Sequence, residues 1–225
     1  MKIIKDIRIY KSGLRNESGV EVSTSFADKK LNAMIQRIVM KLREHEFSLG
    51  DFDHLYINFI PCDETENIWL SDEVDRYHPW FRNCYVPVDA ELYSNLRSPT
   101  YYDSIIQWIT TVLITYFSTE DFDEAHILSC VQQAVEQGEA MLMKFKEKSS
   151  AKRKAVVFLR YLDTCRFYPL LRVYDLNDQI LLERDLPETL TLDYLGEIQI
   201  STKRVAIKPR KNAFTSQNTV LAFEY

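Results

Sequence analysis

The chain has 225 residues, 46% hydrophobic and 27% charged, with a net charge of −5, five glycines and seven prolines. That length and apolar content can bury a sizeable core, in one large domain or two small ones. The scarcity of Gly and Pro excludes collagen-like and low-complexity disordered chains, and no internal period marks a solenoid.

Ile3 to Tyr10 alternates apolar and charged residues and predicts a strand. The opening MKIIKDIRIYK lacks the continuous apolar core of a signal peptide, so the expected location is the cytoplasm. After a Gly- and Ser-containing loop, Ser25 and Asp28 have the spacing of a capping box. The helix they open has one apolar stripe, Leu31, Met34, Ile35, Ile38 and Leu42, and Gly50 follows its end. Leu55 to Ile60 is short, aromatic and β-branched, a strand stopped by Pro61; Cys84 to Val88 predicts another. Asp89 can cap a short helical turn through Leu96.

Tyr101 to Phe117 has large apolar residues in every direction, which predicts a buried central helix that its neighbours wrap. Asp103, Gln107 and four hydroxyl residues break its apolar character, which argues against a membrane span. Asp121 with Glu124 offers the next cap, and the helix after it is expected to run to about Lys148, with Ala125, Leu128, Val131, Val135, Gly138, Leu142 and Phe145 on one face. From Lys154 the period becomes two. Strands are expected at Val156–Tyr161, Phe167–Tyr174, Gln179–Arg184, Thr189–Tyr194, Glu197–Ser201, Arg204–Lys208 and Thr219–Tyr225, with Asn177-Asp178 as a hairpin turn. Helices segregated from strands give the fold class α+β: amphipathic helices around a central buried helix, packed on a mainly antiparallel C-terminal sheet. One domain is expected, with residues 1–150 helix-rich and 151–225 β-rich.

Charge is distributed unevenly. Residues 1–150 carry 24 acids and 16 bases, whereas residues 151–225 carry 9 acids and 12 bases. Between Glu44 and Asp75 there are ten acids and no Lys or Arg. Within that run, Asp63, Glu64, Glu66, Asp72, Glu73 and Asp75 surround Trp69 and precede Tyr77 and Trp80. Like charges crowded together repel one another, so their concentration is easiest to understand if a basic partner neutralises them. Tyr and Trp are the residue types that anchor interfaces.

Recognisable catalytic spacing is absent. There is no GxSxG elbow, and His45, His54, His78 and His126 are scattered. Five glycines permit neither GxGxxG nor a Walker loop, so no nucleotide cofactor is expected. Cys62, Cys84, Cys130 and Cys165 form no CxxC pair and read as reduced, mostly buried thiols. The carboxylates near His78 are possible metal ligands, yet their spacing fits no EF-hand. Lys144, Lys146, Lys148, Lys152, Arg153 and Lys154, and Lys203, Arg204, Lys208, Arg210 and Lys211, form two basic clusters. The acidic balance and the lack of aromatic RNA-binding signatures weigh against nucleic acid.

Asp53 to Pro61, DHLYINFIP, and the stretch from Asp75 to Asp89, DRYHPWFRNCYVPVD, resemble the cytoplasmic immunity proteins that accompany bacterial polymorphic toxins and contact-dependent inhibition systems. The resemblance implies a non-enzymatic inhibitor of a cognate toxin domain. A nuclease toxin, basic in its cleft, would suit the acids here. The expected interface is Asp63, Glu64, Glu66, Trp69, Asp72, Glu73, Asp75, Tyr77 and Trp80, with no cofactor and no membrane. Two alternatives stay open: a metal-dependent hydrolase using His78 and nearby carboxylates, and a self-associating scaffold.

Overall fold

A computed structural model describes residues 1–13, 23–62, 67–211 and 219–225. The chain divides into two compact units, Met1–Gly138 and Glu139–Tyr225. The fold is α+β, with four α-helices among the described residues.

In the first unit, the short β2 (Ser23–Ser25) pairs antiparallel with β1 (Asp6–Ser12). β1 runs parallel to β3 (His54–Pro61), and β3 runs parallel to β5 (Phe81–Val88). The two-residue β4 (Trp69–Leu70) closes the other edge antiparallel, giving the order β2-β1-β3-β5-β4. Alternation and β-branched content predicted β1, β3 and the later part of β5, not β2 or β4, and say nothing of their partners, so the parallel pairing is a finding of the structure. The alternation sends Ile7 and Ile9, Leu55, Ile57 and Phe59, and Cys84, Val86 and Val88 to one face, where all are buried.

Helices cover that face. α1 (Lys29–Glu44) is capped by Asp28, whose Oδ1 accepts the Leu31 N–H at 2.8 Å; Ser25 lies in β2 instead of capping. The expected stripe on α1 is widened, because all six residues from Arg37 to Leu42 are buried. Asp89 does cap a short helix, α2 (Ala90–Asn95). After a 3-10 turn at Pro99–Tyr101 comes α3 (Tyr102–Phe117). Its Ile105, Ile109, Val112 and Leu113 are fully enclosed, but Asp103, Gln107 and Thr115 are exposed. The helix expected to be wrapped on all sides therefore has an open side, and α1 is the more enclosed of the two. α4 (Glu124–Gln137) packs on both α1 and α3, which sets the three long helices in one layer.

α4 is shorter than its apolar pattern predicts. Gly138, at φ +51°, ends it, and Met143–Ser149 forms strand β6. Asp123, not Asp121, is its cap. The buried face is Ile127, Cys130, Val131 and Ala134, while Leu128 and Val135 are exposed. The sequence MKFKEKS also has a period of two, which the tail of the helical pattern masked.

β6 opens the second unit. With β7 (Lys154–Tyr161), β8 (Phe167–Tyr174) and β9 (Ile180–Asp185) it makes a four-stranded antiparallel sheet. β10 (Glu197–Ile200), β11 (Arg204–Lys208) and β12 (Leu221–Glu224) make a second, three-stranded one. The expected hairpin turn is present, with Asp178 at φ +57° and Asp175 Oδ1 accepting the N–H groups of Asn177 and Gln179. Thr189–Tyr194, expected as a strand, makes only one bridge, Thr189 to Phe167, within a turn-rich segment. Ala155, Val157 and Leu159 form the core with Leu171, Val173, Ile198, Val205 and Ile207.

Candidate functional site

A parallel sheet is ordinarily covered on both faces. In the first unit the three long helices share one layer, and the other face keeps partly accessible side chains. Arg8 is exposed there, and Tyr10, Tyr56, Phe81, Asn83 and Tyr85 are half-buried. These residues sit at alternate positions of β1, β3 and β5, opposite in parity to the core residues.

The aromatic rings form a continuous band. Tyr10 and Tyr56 are 5.6 Å apart, and Tyr56 stacks on Phe81 at 4.4 Å with the planes 15° apart. From Phe81 the band continues to His78 at 6.4 Å and from His78 to Trp80 at 4.8 Å. At the β4 edge, Trp69 stacks on Tyr85 at 5.0 Å. The Arg8 guanidinium lies over Tyr56 and donates to Asp6 Oδ2 at 2.7 Å. A polar row crosses the same face. Ser12 and Ser23 hydroxyls are hydrogen-bonded at 2.8 Å, Ser12 Oγ donates to Asn58 Oδ1, and Asn58 Nδ2 donates to Asn83 Oδ1 at 3.1 Å. Ser12 and Asn58 are buried, so these bonds answer polar groups that would otherwise be costly.

The segment between β4 and β5 borders this face. Every residue from Asp72 to Trp80 is exposed, yet both ends are tied down. At one end the Tyr116 hydroxyl donates to the Ile68 carbonyl at 2.6 Å, and Ser71 N–H donates to the Asn83 carbonyl. At the other, the Trp80 carbonyl accepts the N–H groups of Asp53 and His54. Asp75 shapes the tip, since its Oδ1 accepts the Tyr77 and His78 N–H groups, both at 2.8 Å. The Tyr77 amide, followed by that of His78, holds the Asp75 carboxyl below its usual range.

Of the residues expected at an interface, Asp72, Glu73 and Asp75 lie on this exposed segment, with Tyr77 78% accessible. Trp69 and Trp80 border the aromatic face, and each keeps about two fifths of its surface accessible. Asp63, Glu64 and Glu66 lie outside the described residues. Sequence reading missed Tyr10, Tyr56, Phe81, Asn83 and Tyr85. The signal for the last four was the alternation of aromatic and amide residues in LYINFI, read as strand, and in FRNCYV, where the strand was expected to begin only at Cys84.

Beneath the loop, Asp53 is buried and held by Lys5 Nζ at 2.7 Å and His54 Nδ1 at 2.6 Å. Burial pushes its carboxyl up, but the Lys5 and His54 hydrogen bonds outweigh burial and hold it below the ordinary range. His78 lies 3.2 Å from Asp75, both exposed. Among the described residues, no three or more His, Cys, Asp or Glu side chains converge to hold a metal ion. Burial pushes the Cys84 thiol up to about 12 and the Cys130 thiol to about 11, which suppresses the nucleophilic thiolate.

Charge follows the division into units. Residues 1–138 carry 22 acids and 13 bases, and residues 139–225 carry 11 acids and 15 bases. Several of the basic residues in the second unit are already engaged. Lys154 lies 2.7 Å from Asp178, Arg172 lies 2.6 Å from Glu183, and Arg160 pairs with Asp185; each cation also covers an aromatic ring. Lys146 donates to the carbonyls of Leu195 and Gly196, and desolvation, with Arg210 nearby, lowers its pKa. No helix among the described residues is long and apolar enough to cross a membrane. Compared with protein-family models, curated proteins and solved structures, the chain gives no match.

Proposed function

We propose that the chain is a non-enzymatic cytoplasmic binding protein of the immunity type, which neutralises a cognate basic toxin domain. The observation that carries this reading is the exposed run from Asp72 to Trp80, pinned at both ends and continuous with the aromatic band of the sheet. Asp72, Glu73 and Asp75 attract a basic surface and accelerate encounter. Tyr77, Trp80 and Trp69, with Tyr56 and Phe81 behind them, supply large aromatic area of the kind that dominates binding energy. A nuclease domain suits this surface, because a cleft that holds nucleic acid is basic.

The test is a pull-down with the purified chain as bait in lysate of its own source, washed at low and at high salt. One stoichiometric basic protein, released by salt, is the expected result. Recovery of no protein at either salt contradicts the reading. A second copy of the chain as the sole captured species replaces the inhibitor with the self-associating scaffold.

A further inference from the structure

Open parallel sheets tend to place ligand crevices beyond the carboxyl ends of their strands. Beyond the end of β5, a pocket of about 390 Å³ lies against α2 and the open side of α3. That volume is within the range of small-ligand sites. None of the pocket's lining residues belongs to the aromatic band.

Its lining is chemically one-sided. Among the described residues, Asp89 and Glu91 are its only charged ones, and no Lys or Arg lines it. Both carboxylates are oriented by other bonds: Asp89 Oδ1 accepts the Leu92 N–H at 2.8 Å, and Glu91 Oε1 accepts the Tyr101 hydroxyl at 2.7 Å. Among the described residues the second oxygen of each has no hydrogen-bond partner. Trp108, half-buried on α3, and Tyr101 give the pocket aromatic walls, and Ser104 and Gln107 add neutral polar groups. The Glu91 hydrogen bond also raises the Tyr101 hydroxyl pKa.

Both carboxylates are on exposed residues, and an anion would meet their like charge. A cation on an alkyl stem satisfies every wall. Its charge pairs with the two carboxylates and lies against indole, the ring that attracts cations most strongly. We infer that this pocket binds an alkyl guanidinium or ammonium group, with Asp89 and Glu91 as its ion-pair partners and Trp108 as its aromatic wall. The inference does not rest on the immunity-type reading.

The experiment is a ¹H–¹⁵N titration of the full chain with agmatine, with an uncharged alkyl amide, and with a glycine-flanked arginine peptide. Saturable shifts of the Trp108 indole N–H and the Leu92 amide are expected from a guanidinium probe and not from the amide. The variant Asp89→Asn with Glu91→Gln keeps the helix cap and an acceptor for Tyr101. It should bind roughly tenfold more weakly or worse, as loss of charge-assisted bonds requires. Saturation by agmatine identifies a small cation as the source, and saturation by the peptide alone identifies a partner's side chain; either supports the site. The absence of saturable shifts, equal binding of the amide, or unchanged affinity in the double variant overturns it.

Discussion

Asp53 illustrates how a single carboxylate can join elements. It precedes β3, takes hydrogen bonds from Lys5 before β1 and from its neighbour His54, and its N–H donates to the Trp80 carbonyl before β5. Because its folded pKa is depressed, the stability it contributes is fully present above the unfolded carboxylate value near 4 and is lost as pH falls through the folded value. Asp53→Asn should cost about 1–3 kcal/mol at pH 7, with Lys5 half-exposed and partly screened. Urea midpoints between pH 7 and pH 2.5 should fall more steeply for the parent than for the variant; parallel slopes would remove Asp53 from the acid transition. Gly196 has a different constraint. A Cβ there would lie 2.5 Å from the Arg210 N and 2.6 Å from the Lys208 carbonyl oxygen, both backbone atoms that cannot simply rotate away. Gly196→Ala should therefore lower stability by about 1–3 kcal/mol, read as a shifted denaturation midpoint.

Elements were legible wherever period and punctuation agreed. β8 and β11 fall on Phe167–Tyr174 and Arg204–Lys208, and Asp89 caps the helix that it was expected to cap. Where two periods overlapped, reading failed: the residues from Leu142 onward continue a helical stripe on paper, but Gly138 ends α4 and the alternating lysines enter a strand. Ser25 and Asp28 have capping-box spacing, but Ser25 pairs with Tyr10 in the sheet and Asp28 itself caps α1. α3 holds because one side is sealed, in spite of its eight β-branched residues between Ile105 and Thr115, which disfavour helix. Leu113 is fully enclosed, so Leu113→Ala should destabilise by about 2–5 kcal/mol. Exposed Thr115→Ala should change the midpoint little, and equal losses at the two positions would contradict a one-sided packing of α3.

At the scale of the molecule, the charge asymmetry is a property of surfaces as well as of sequence. In the second unit, Lys154, Arg160 and Arg172 are matched by acids and rings, whereas the exposed loop of the first gathers Asp72, Glu73 and Asp75 beside an aromatic face. The acidic half of that candidate interface was legible because charge runs survive in one dimension. The aromatic half was not, since Tyr10, Tyr56 and Phe81 come together only through parallel pairing of strands far apart in the chain. The central claim is that this surface captures a basic partner. Its most direct test is the salt-graded pull-down repeated with Asp72→Lys, Glu73→Lys and Asp75→Asn combined, asparagine being able to keep the turn that Asp75 forms. The account predicts a basic protein held by the parent at low salt, released at high salt, and largely lost from the variant. Equal capture by parent and variant at every salt concentration would contradict it.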